Sequence, residues 1–222
     1  MGVIDFSISP QLLGMFAQSL QAGLFFETGT FKGESLVIAK QHIQRCISVE
    51  ASQELYDECV ARFKEDPDIK ICFGDSPSAI EQHRDQFADT ATVFWLDAHW
   101  MSNSQSAGAE AQSPLLGELA GIGQLNDRSA VLIDDARLYL ATPPPPHNFS
   151  DWPSFDEVVK ALQALSGDHR LMVINDVIVF YPASVHDQVA DYAHLQAVNW
   201  RHIARDARKY QNIKRKLNFW RS

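Results

Sequence analysis

Carboxylates at the ends of short apolar segments are the residues of this chain that most clearly predict chemistry. Such segments end at Glu27, at Glu50, at Asp97 and at the adjacent pair Asp134 and Asp135. A carboxylate at the end of a strand can accept hydrogen bonds from two adjacent hydroxyl groups. Glu50 is therefore a candidate for binding a ribose, with a solvated residue at a strand end as the alternative.

Asp97, Asp134 and Asp135 predict a different site, because they would meet at neighbouring strand ends. Acids that lie close together repel one another unless a cation lies among them. Hard oxygen ligands, with positions left for water and a substrate, suit Mg²⁺ or Mn²⁺. The alternative is that Asp134 and Asp135 cap a helix or pair with Arg137.

A glycine turn follows the first of these acids. Within residues 24–35, a short apolar run is followed by Glu27, Gly29 and Gly33. Residues 36–39 then begin a helical pattern. Because glycine has no Cβ, a small ligand can lie against bare backbone at a helix N-terminus. The spacing E-x-G-x-x-x-G lacks the third glycine of the NAD fingerprint G-x-G-x-x-G, which argues against a pyrophosphate under the helix.

These residues need a framework that brings strand ends together. Apolar patterns and turn residues predict strands, alternating with helices, at about 23–27, 46–50, 69–73, 92–97 and 130–135. A short turn between 171–174 and 177–181 predicts an antiparallel hairpin. We therefore expect an α/β fold with a doubly wound, Rossmann-like, seven-stranded and mostly parallel sheet that ends in a C-terminal antiparallel hairpin. Residues 1–183 would form this domain, and residues 184–222 a helical extension with a basic tail.

Together, the motifs at the predicted strand ends resemble those of class I S-adenosylmethionine (SAM)-dependent methyltransferases. They are Glu27 to Gly33, Ser48 to Glu50, Gly74 to Ser76, Leu96 to His99 and Ile133 to Asp135. More narrowly, they are similar to the macrocin-type, cation-dependent O-methyltransferases, which act on sugar hydroxyls of natural products and polysaccharides. The resemblance covers about residues 22–182.

The resemblance implies a SAM site and a Mg²⁺ or Mn²⁺ site. The cofactor-binding residues would be Glu27, Thr28, Gly29, Thr30, Gly33, Glu50, Asp75, Ser76 and Asp97. Glu27 would lie near the methionine part of SAM. Asp75 and Ser76 would lie near its adenine, with a turn that caps the following helix as the alternative. The metal ligands would be Asp97, Asp134 and Asp135.

The reaction that this resemblance implies is methyl transfer to a hydroxyl group. A bound cation would lower the pKa of the substrate hydroxyl and align its oxygen with the methyl sulfonium. Asp97 and His99 are the catalytic candidates. His99, with an ordinary imidazole pKa of about 6.5, could take the hydroxyl proton, contact the substrate or belong to a loop. We expect a sugar or polysaccharide precursor as the methyl acceptor, with a catechol-like phenol or another small metabolite as the alternative.

Composition bounds the remaining functions. The chain has 222 residues and a formal net charge of −9, yet residues 201–222 hold eight Lys and Arg and one acid. A nucleic-acid-binding protein that uses this tail is an alternative of a different class, and the acidic body argues against it. The tail could instead be a solvated face or the subunit-packing face of a homo-oligomer. Neither a membrane span nor a secretory signal is expected, and the three cysteines predict a reduced, cytoplasmic protein.

Overall fold

The structure is a computed structural model that describes residues 8–98, 112–196, 205 and 208–210. Its strands are β1 (Leu24–Thr28), β2 (Arg45–Glu50), β3 (Ile69–Phe73), β4 (Thr92–Leu96), β5 (Ala130–Ile133), β6 (His169–Ile174) and β7 (Val177–Pro182). Its α-helices are α1 (Pro10–Leu20), α2 (Glu34–Ala39), α3 (Gln53–Phe63), α4 (Ser76–Asp89), α5 (Leu115–Ile122), α6 (Ala136–Leu140), α7 (Phe155–Leu165) and α8 (His186–Leu195).

The strands form one sheet in the order β3-β2-β1-β4-β5-β7-β6. The strands β1 to β5 are parallel, while β7 runs antiparallel to both β5 and β6. Because β1 to β5 are parallel, their carboxyl ends share one edge of the sheet. A helix follows each of these strands in the chain. The structure therefore confirms the prediction of a doubly wound, Rossmann-like, mostly parallel sheet of seven strands with an antiparallel hairpin at its C-terminal end.

Apolar side chains cover both faces of the sheet. Phe26 packs with Phe87 and Phe94 on the face that carries α4, while Phe25 belongs to the cluster on the other face, with Phe16 of α1. A parallel sheet with helices on both faces is dry on both faces, so its central strands carry continuous apolar runs. This packing fixes the positions of the strand ends and of the residues that follow them.

The beginning of the C-terminal extension packs against the N-terminal helix. Val185 and Val189 are buried in the cluster that contains α1, and the Tyr192 hydroxyl donates a hydrogen bond of 2.9 Å to Ser9 Oγ. The domain boundary after residue 183 stays a prediction, and most of the basic tail lies outside the described residues. In the part of the chain that the structure describes, no helix is long and apolar enough to cross a membrane.

Candidate active site

The glycine turn lies between the ends of β2 and β4. Gly29 has a left-handed φ of 80°, and its N–H donates a hydrogen bond of 3.0 Å to the carbonyl of Val49. A Cβ on Gly29 would lie 2.6 Å from the backbone oxygen of Asp97, and one on Gly33 would lie 2.5 Å from the Phe63 ring. A side chain at either position would force its neighbours to move. The turn therefore brings bare backbone to the carboxyl edge of the sheet.

Glu50 ends β2 beside this turn. Its Oε2 accepts a hydrogen bond from the Phe31 N–H and its Oε1 accepts one from the Ser52 N–H, both at 2.8 Å. The residue is only 5% exposed. Each carboxylate oxygen has a second lone pair, so the group can still accept a hydrogen bond from a ligand hydroxyl. This geometry is compatible with the expected ribose contact, which stays a prediction.

Glu27, near the end of β1, is completely buried. Its carboxyl group accepts hydrogen bonds from the hydroxyls of Ser35 and Ser48, the latter at 2.6 Å. Burial raises the pKa of Glu27 to about 8; the two hydroxyls act in the opposite direction, and the charges of Asp97 and Glu50 add to the rise. Glu27 is therefore mainly protonated at neutral pH. Its contact with the methionine part of a cofactor stays a prediction.

Thr28 and Thr30, both buried, hold the glycine turn against its neighbours. Thr28 Oγ1 accepts a hydrogen bond of 3.2 Å from the Asp97 N–H, and Thr30 Oγ1 lies 2.6 Å from Ser48 Oγ. These contacts explain why hydroxyl side chains flank the glycine, since they tie the turn to β2 and to the end of β4. A contact of either threonine with a cofactor stays a prediction.

Asp75 and Ser76 begin α4, next to the end of β3. Asp75 caps this helix, because its Oδ1 accepts a hydrogen bond of 3.0 Å from the Ser78 N–H. The helix-cap alternative thus describes the contact that Asp75 makes. Gly74 has a φ of 140° and open space where a Cβ would be, and the neighbouring Phe73 is 53% exposed. The contact of an adenine with Asp75 and Ser76 stays a prediction.

Protein groups engage the acids that follow β5. Asp134 Oδ1 accepts a hydrogen bond of 2.7 Å from the Asp135 N–H. Asp135 forms an ion pair with Arg137, which also contacts Asp176. Among the residues that the structure describes, no group of three or more His, Cys, Asp or Glu could hold a metal ion. The alternative interpretation of Asp135, pairing with Arg137, is therefore observed, and a metal site that includes Asp97 stays a prediction.

The sequence pattern did not single out two further side chains at this edge, Tyr139 and Glu118. Tyr139 of α6 is buried, and its Oη lies 3.2 Å from Ser113 Oγ. Burial raises the pKa of Tyr139; the hydrogen bond with Ser113 acts against this rise, and the charges of Glu118, Asp135 and Asp97 add to it. Tyr139 is therefore a neutral hydroxyl group near acidic side chains. The sequence held one signal that could have identified this part of the site, which is Glu118, an acid in the otherwise apolar helix α5.

Two aromatic rings from the segment that follows Pro143 to Pro146 pack near Tyr139. Trp152 is buried, with its ring centre 5.4 Å from that of Tyr139 and 5.2 Å from that of His147. The indole N–H of Trp152 donates a hydrogen bond of 3.2 Å to the side chain of Gln112. Trp152 therefore packs within the protein. His99, the predicted base, lies outside the described residues.

Comparisons with known proteins identify relatives of the fold. No family model and no curated protein matches the chain. Among solved structures, an SAH-bound methyltransferase from Podospora anserina matches at 13% identity and a TM-score of 0.53, over 78% of this chain and 77% of that one. An O-methyltransferase from Bacillus cereus in complex with SAH matches at 13% identity and a TM-score of 0.54, over 78% of this chain and 80% of that one. TomG from Streptomyces achromogenes, an O-methyltransferase involved in tomaymycin synthesis, in complex with SAM, matches at 17% identity and a TM-score of 0.50, over 79% and 81%.

These similarities show that the chain has the Rossmann-like fold of methyltransferases. They extend over more than three quarters of this chain, so they concern the whole sheet rather than one motif. At such low identity the likeness is one of fold. An activity has to be argued from the residues at the carboxyl edge of the sheet.

Proposed function

We propose that this protein is a SAM-dependent O-methyltransferase. The observation that carries the proposal is the glycine turn at the carboxyl edge of a sheet whose fold is shared with methyltransferases bound to SAM or SAH. In an open α/β sheet, ligands bind outside this edge. Glu50 supports the proposal, because a buried carboxylate beside the turn can accept hydrogen bonds from adjacent hydroxyls of a ribose.

The chain's own residues would position the two substrates. When bound, SAM would supply an electrophilic methyl group: the acceptor oxygen would attack this carbon in line with its bond to sulfur, and S-adenosylhomocysteine (SAH) would leave. Asp97 follows β4, and its N–H donates a hydrogen bond of 3.2 Å to Thr28 Oγ1, beside the glycine turn. A carboxylate in that position can orient an acceptor hydroxyl, and we propose that Asp97 does so while His99 takes the proton.

The methyl acceptor that we propose is a hydroxyl of a sugar or of a polysaccharide precursor, as in macrocin-type enzymes. The sequence resemblance supports this choice, and a catechol-like phenol is the alternative. A screen with methyl-labelled SAM, vicinal-diol sugars and catechols separates the two acceptors. Filter binding of nucleic acid across salt concentrations tests the tail, since phosphate contacts give a steep salt dependence.

The resemblance also implies a divalent metal held by Asp97, Asp134 and Asp135. As arranged, Asp135 does not fit the role of a metal ligand, because it is already paired with Arg137. The steps above therefore use only SAM and the chain's own residues. Calorimetry of SAM binding with and without Mg²⁺ tests this part of the prediction.

Isothermal titration calorimetry with SAM and SAH tests the function. We expect the wild-type chain to bind both, and Glu50→Gln to bind them about tenfold or more weakly, because a hydrogen bond to a charged group contributes roughly 1.5–3 kcal/mol. Glu54→Gln, an exposed carboxylate in the first turn of α3, is the matched control and should bind normally. If the wild-type chain binds neither ligand, the proposed function is wrong.

A further inference from the structure

The side chain of Arg137 lies between two acids from different parts of the chain. One of its terminal nitrogens, Nη1, contacts both Asp135, which follows β5, and Asp176, in the turn between β6 and β7. The side chains of Arg137, Asp135 and Asp176 are 29%, 13% and 6% exposed, respectively. This three-residue group, which we call the Arg137 triad, is therefore largely removed from water.

Backbone contacts hold the hairpin turn in the same place. The Arg137 N–H donates a hydrogen bond of 2.9 Å to Asp176 Oδ1, and the Ala136 N–H donates one of 2.7 Å to the Asp176 carbonyl. Asp176 is thus attached to α6 by its main chain and by both oxygens of its side chain. The hairpin turn and the end of β5 form one unit, with the guanidinium at its centre.

The positive charge of Arg137 disfavours the binding of a second cation to Asp135. The Arg137 guanidinium, which is always charged in proteins, is paired with both Asp135 and Asp176. A divalent ion that used the same Asp135 oxygen would lie close to this positive charge and would be repelled by it.

We propose that Arg137 takes the place of a divalent cation at the end of β5. The guanidinium neutralises Asp135 and joins it to Asp176, so Asp135 is a structural acid rather than a metal ligand. Removing the positive charge would leave Asp135 and Asp176 facing each other, and this pair of carboxylates would then take up a divalent ion. The inference concerns the same sheet edge as the proposed function, but it does not require that function to be correct.

Electron paramagnetic resonance with Mn²⁺ tests the proposal on the full-length chain. Free Mn²⁺ gives the signal, so binding is measured without any activity. We expect Asp135→Asn to leave the Mn²⁺ affinity of the wild-type chain unchanged. Arg137→Gln should bind Mn²⁺ about tenfold or more tightly than wild type, which is the size of effect that ligand-shell changes have on metal affinity. The double variant Arg137→Gln with Asp135→Asn should lose this gain.

Two control variants make the result specific. Arg84→Gln removes another arginine, one that donates to the carbonyls of Gly121 and Ala120 rather than to an acid, and it should not create a Mn²⁺ site. Arg137→Lys keeps a positive charge between the acids and should not create one either.

Two outcomes would overturn the proposal. One is a wild-type chain that binds Mn²⁺ and loses about tenfold or more of that affinity in Asp135→Asn, as expected of a metal ligand. The other is a folded Arg137→Gln variant whose Mn²⁺ affinity does not rise. If Arg137→Gln does not fold, Asp135→Asn alone decides. Failure of the proposed function is seen separately, as absence of SAM binding in calorimetry.

Discussion

At the carboxyl edge of the sheet, the buried acid at β1 and the buried acid after β5 are neutralised in different ways. At β1, Glu27 is surrounded by the hydroxyls of Ser35 and Ser48, and burial raises its pKa to about 8. At β5, Asp135 is paired with the guanidinium of Arg137. A proton neutralises the first acid and a side chain neutralises the second. The charge of the β1 side therefore depends on pH near neutrality, whereas the β5 side carries a built-in cation.

The difference matters for the proposed function, because the two sides would serve different tasks. Glu27 lies near the glycine turn, where SAM would bind, and the Arg137 triad attaches the hairpin turn to the end of β5. We therefore expect the affinity for SAM to change with pH near neutrality. The contribution of the β5 side to stability should change less with pH. Three substitutions test this comparison, in order of decreasing effect.

The largest effect is expected for Arg137→Gln. Removal of one partner leaves two largely buried carboxylates without their counter-charge, which lowers the free energy of unfolding by about 3 kcal/mol. Urea unfolding followed by circular dichroism measures this loss. Because the lost charge belongs to a guanidinium, the loss should be similar at about pH 7 and about pH 9.

An exposed ion pair provides the control for this measurement. Lys160 and Asp156 lie one helical turn apart on α7 and are 73% and 69% exposed. Lys160→Gln should leave the unfolding midpoint unchanged, because water already solvates both charges. If Lys160→Gln and Arg137→Gln behave alike, Asp135 is not held by a buried ion pair, and the contrast with Glu27 disappears.

An intermediate effect, dependent on pH, is expected for Glu27→Gln. The pKa of Glu27 rises from 4.5 in the unfolded chain to about 8 in the folded one. Ionisation therefore favours the unfolded state, and the wild-type chain loses stability as the pH rises between these two values. Glutamine does not ionise, so its advantage over wild type should grow by about 2.5 kcal/mol between roughly pH 5 and pH 7, slightly less than the full ~1.4 kcal/mol per unit because the unfolded chain is still partly protonated near pH 5.

Urea unfolding at several pH values measures this advantage. Glu65→Gln, which replaces a carboxylate that is 89% exposed, is the control and should follow the wild-type profile. An advantage of Glu27→Gln that stays constant from pH 5 to pH 8 would show that Glu27 is ionised throughout, and that both sides of the edge carry fixed charges.

The fold could be predicted from the sequence because its central strands are buried on both faces. β4, for example, was expected at 92–97 and is observed at Thr92–Leu96, where every residue is buried. Two helices were not predicted correctly. From the sequence we expected the helix after the glycine turn to reach about residue 45, but α2 ends at Ala39 and a turn over residues 40–42 leads to β2. α6 was missed because five residues are too few for an apolar period to be recognised.

The candidate site could be predicted less completely, because its chemistry depends on partners that are distant in sequence. The positions of Glu50 and Asp97 at strand ends follow from the strand pattern alone. The state of Asp135 depends on Arg137 and Asp176, which are brought together only when the hairpin folds back beside β5. The high pKa of Glu27 depends likewise on complete burial, which no local pattern reveals.

The smallest effect is expected for Ser48→Ala, which removes one hydroxyl from the β1 side. Ser48 Oγ donates a hydrogen bond of 2.6 Å to Glu27, and this bond lowers the pKa of the carboxyl group. Its loss should raise that pKa further and reduce the free energy of unfolding by about 1 kcal/mol, the usual size for one hydrogen bond. The reduction should be larger at about pH 9 than at about pH 5, because the bond to an ionised carboxylate is the stronger one. Urea unfolding at the two pH values gives the answer: equal losses would mean that Ser48 supports packing only, and that the hydroxyls around Glu27 do not tune its charge as Arg137 fixes that of Asp135.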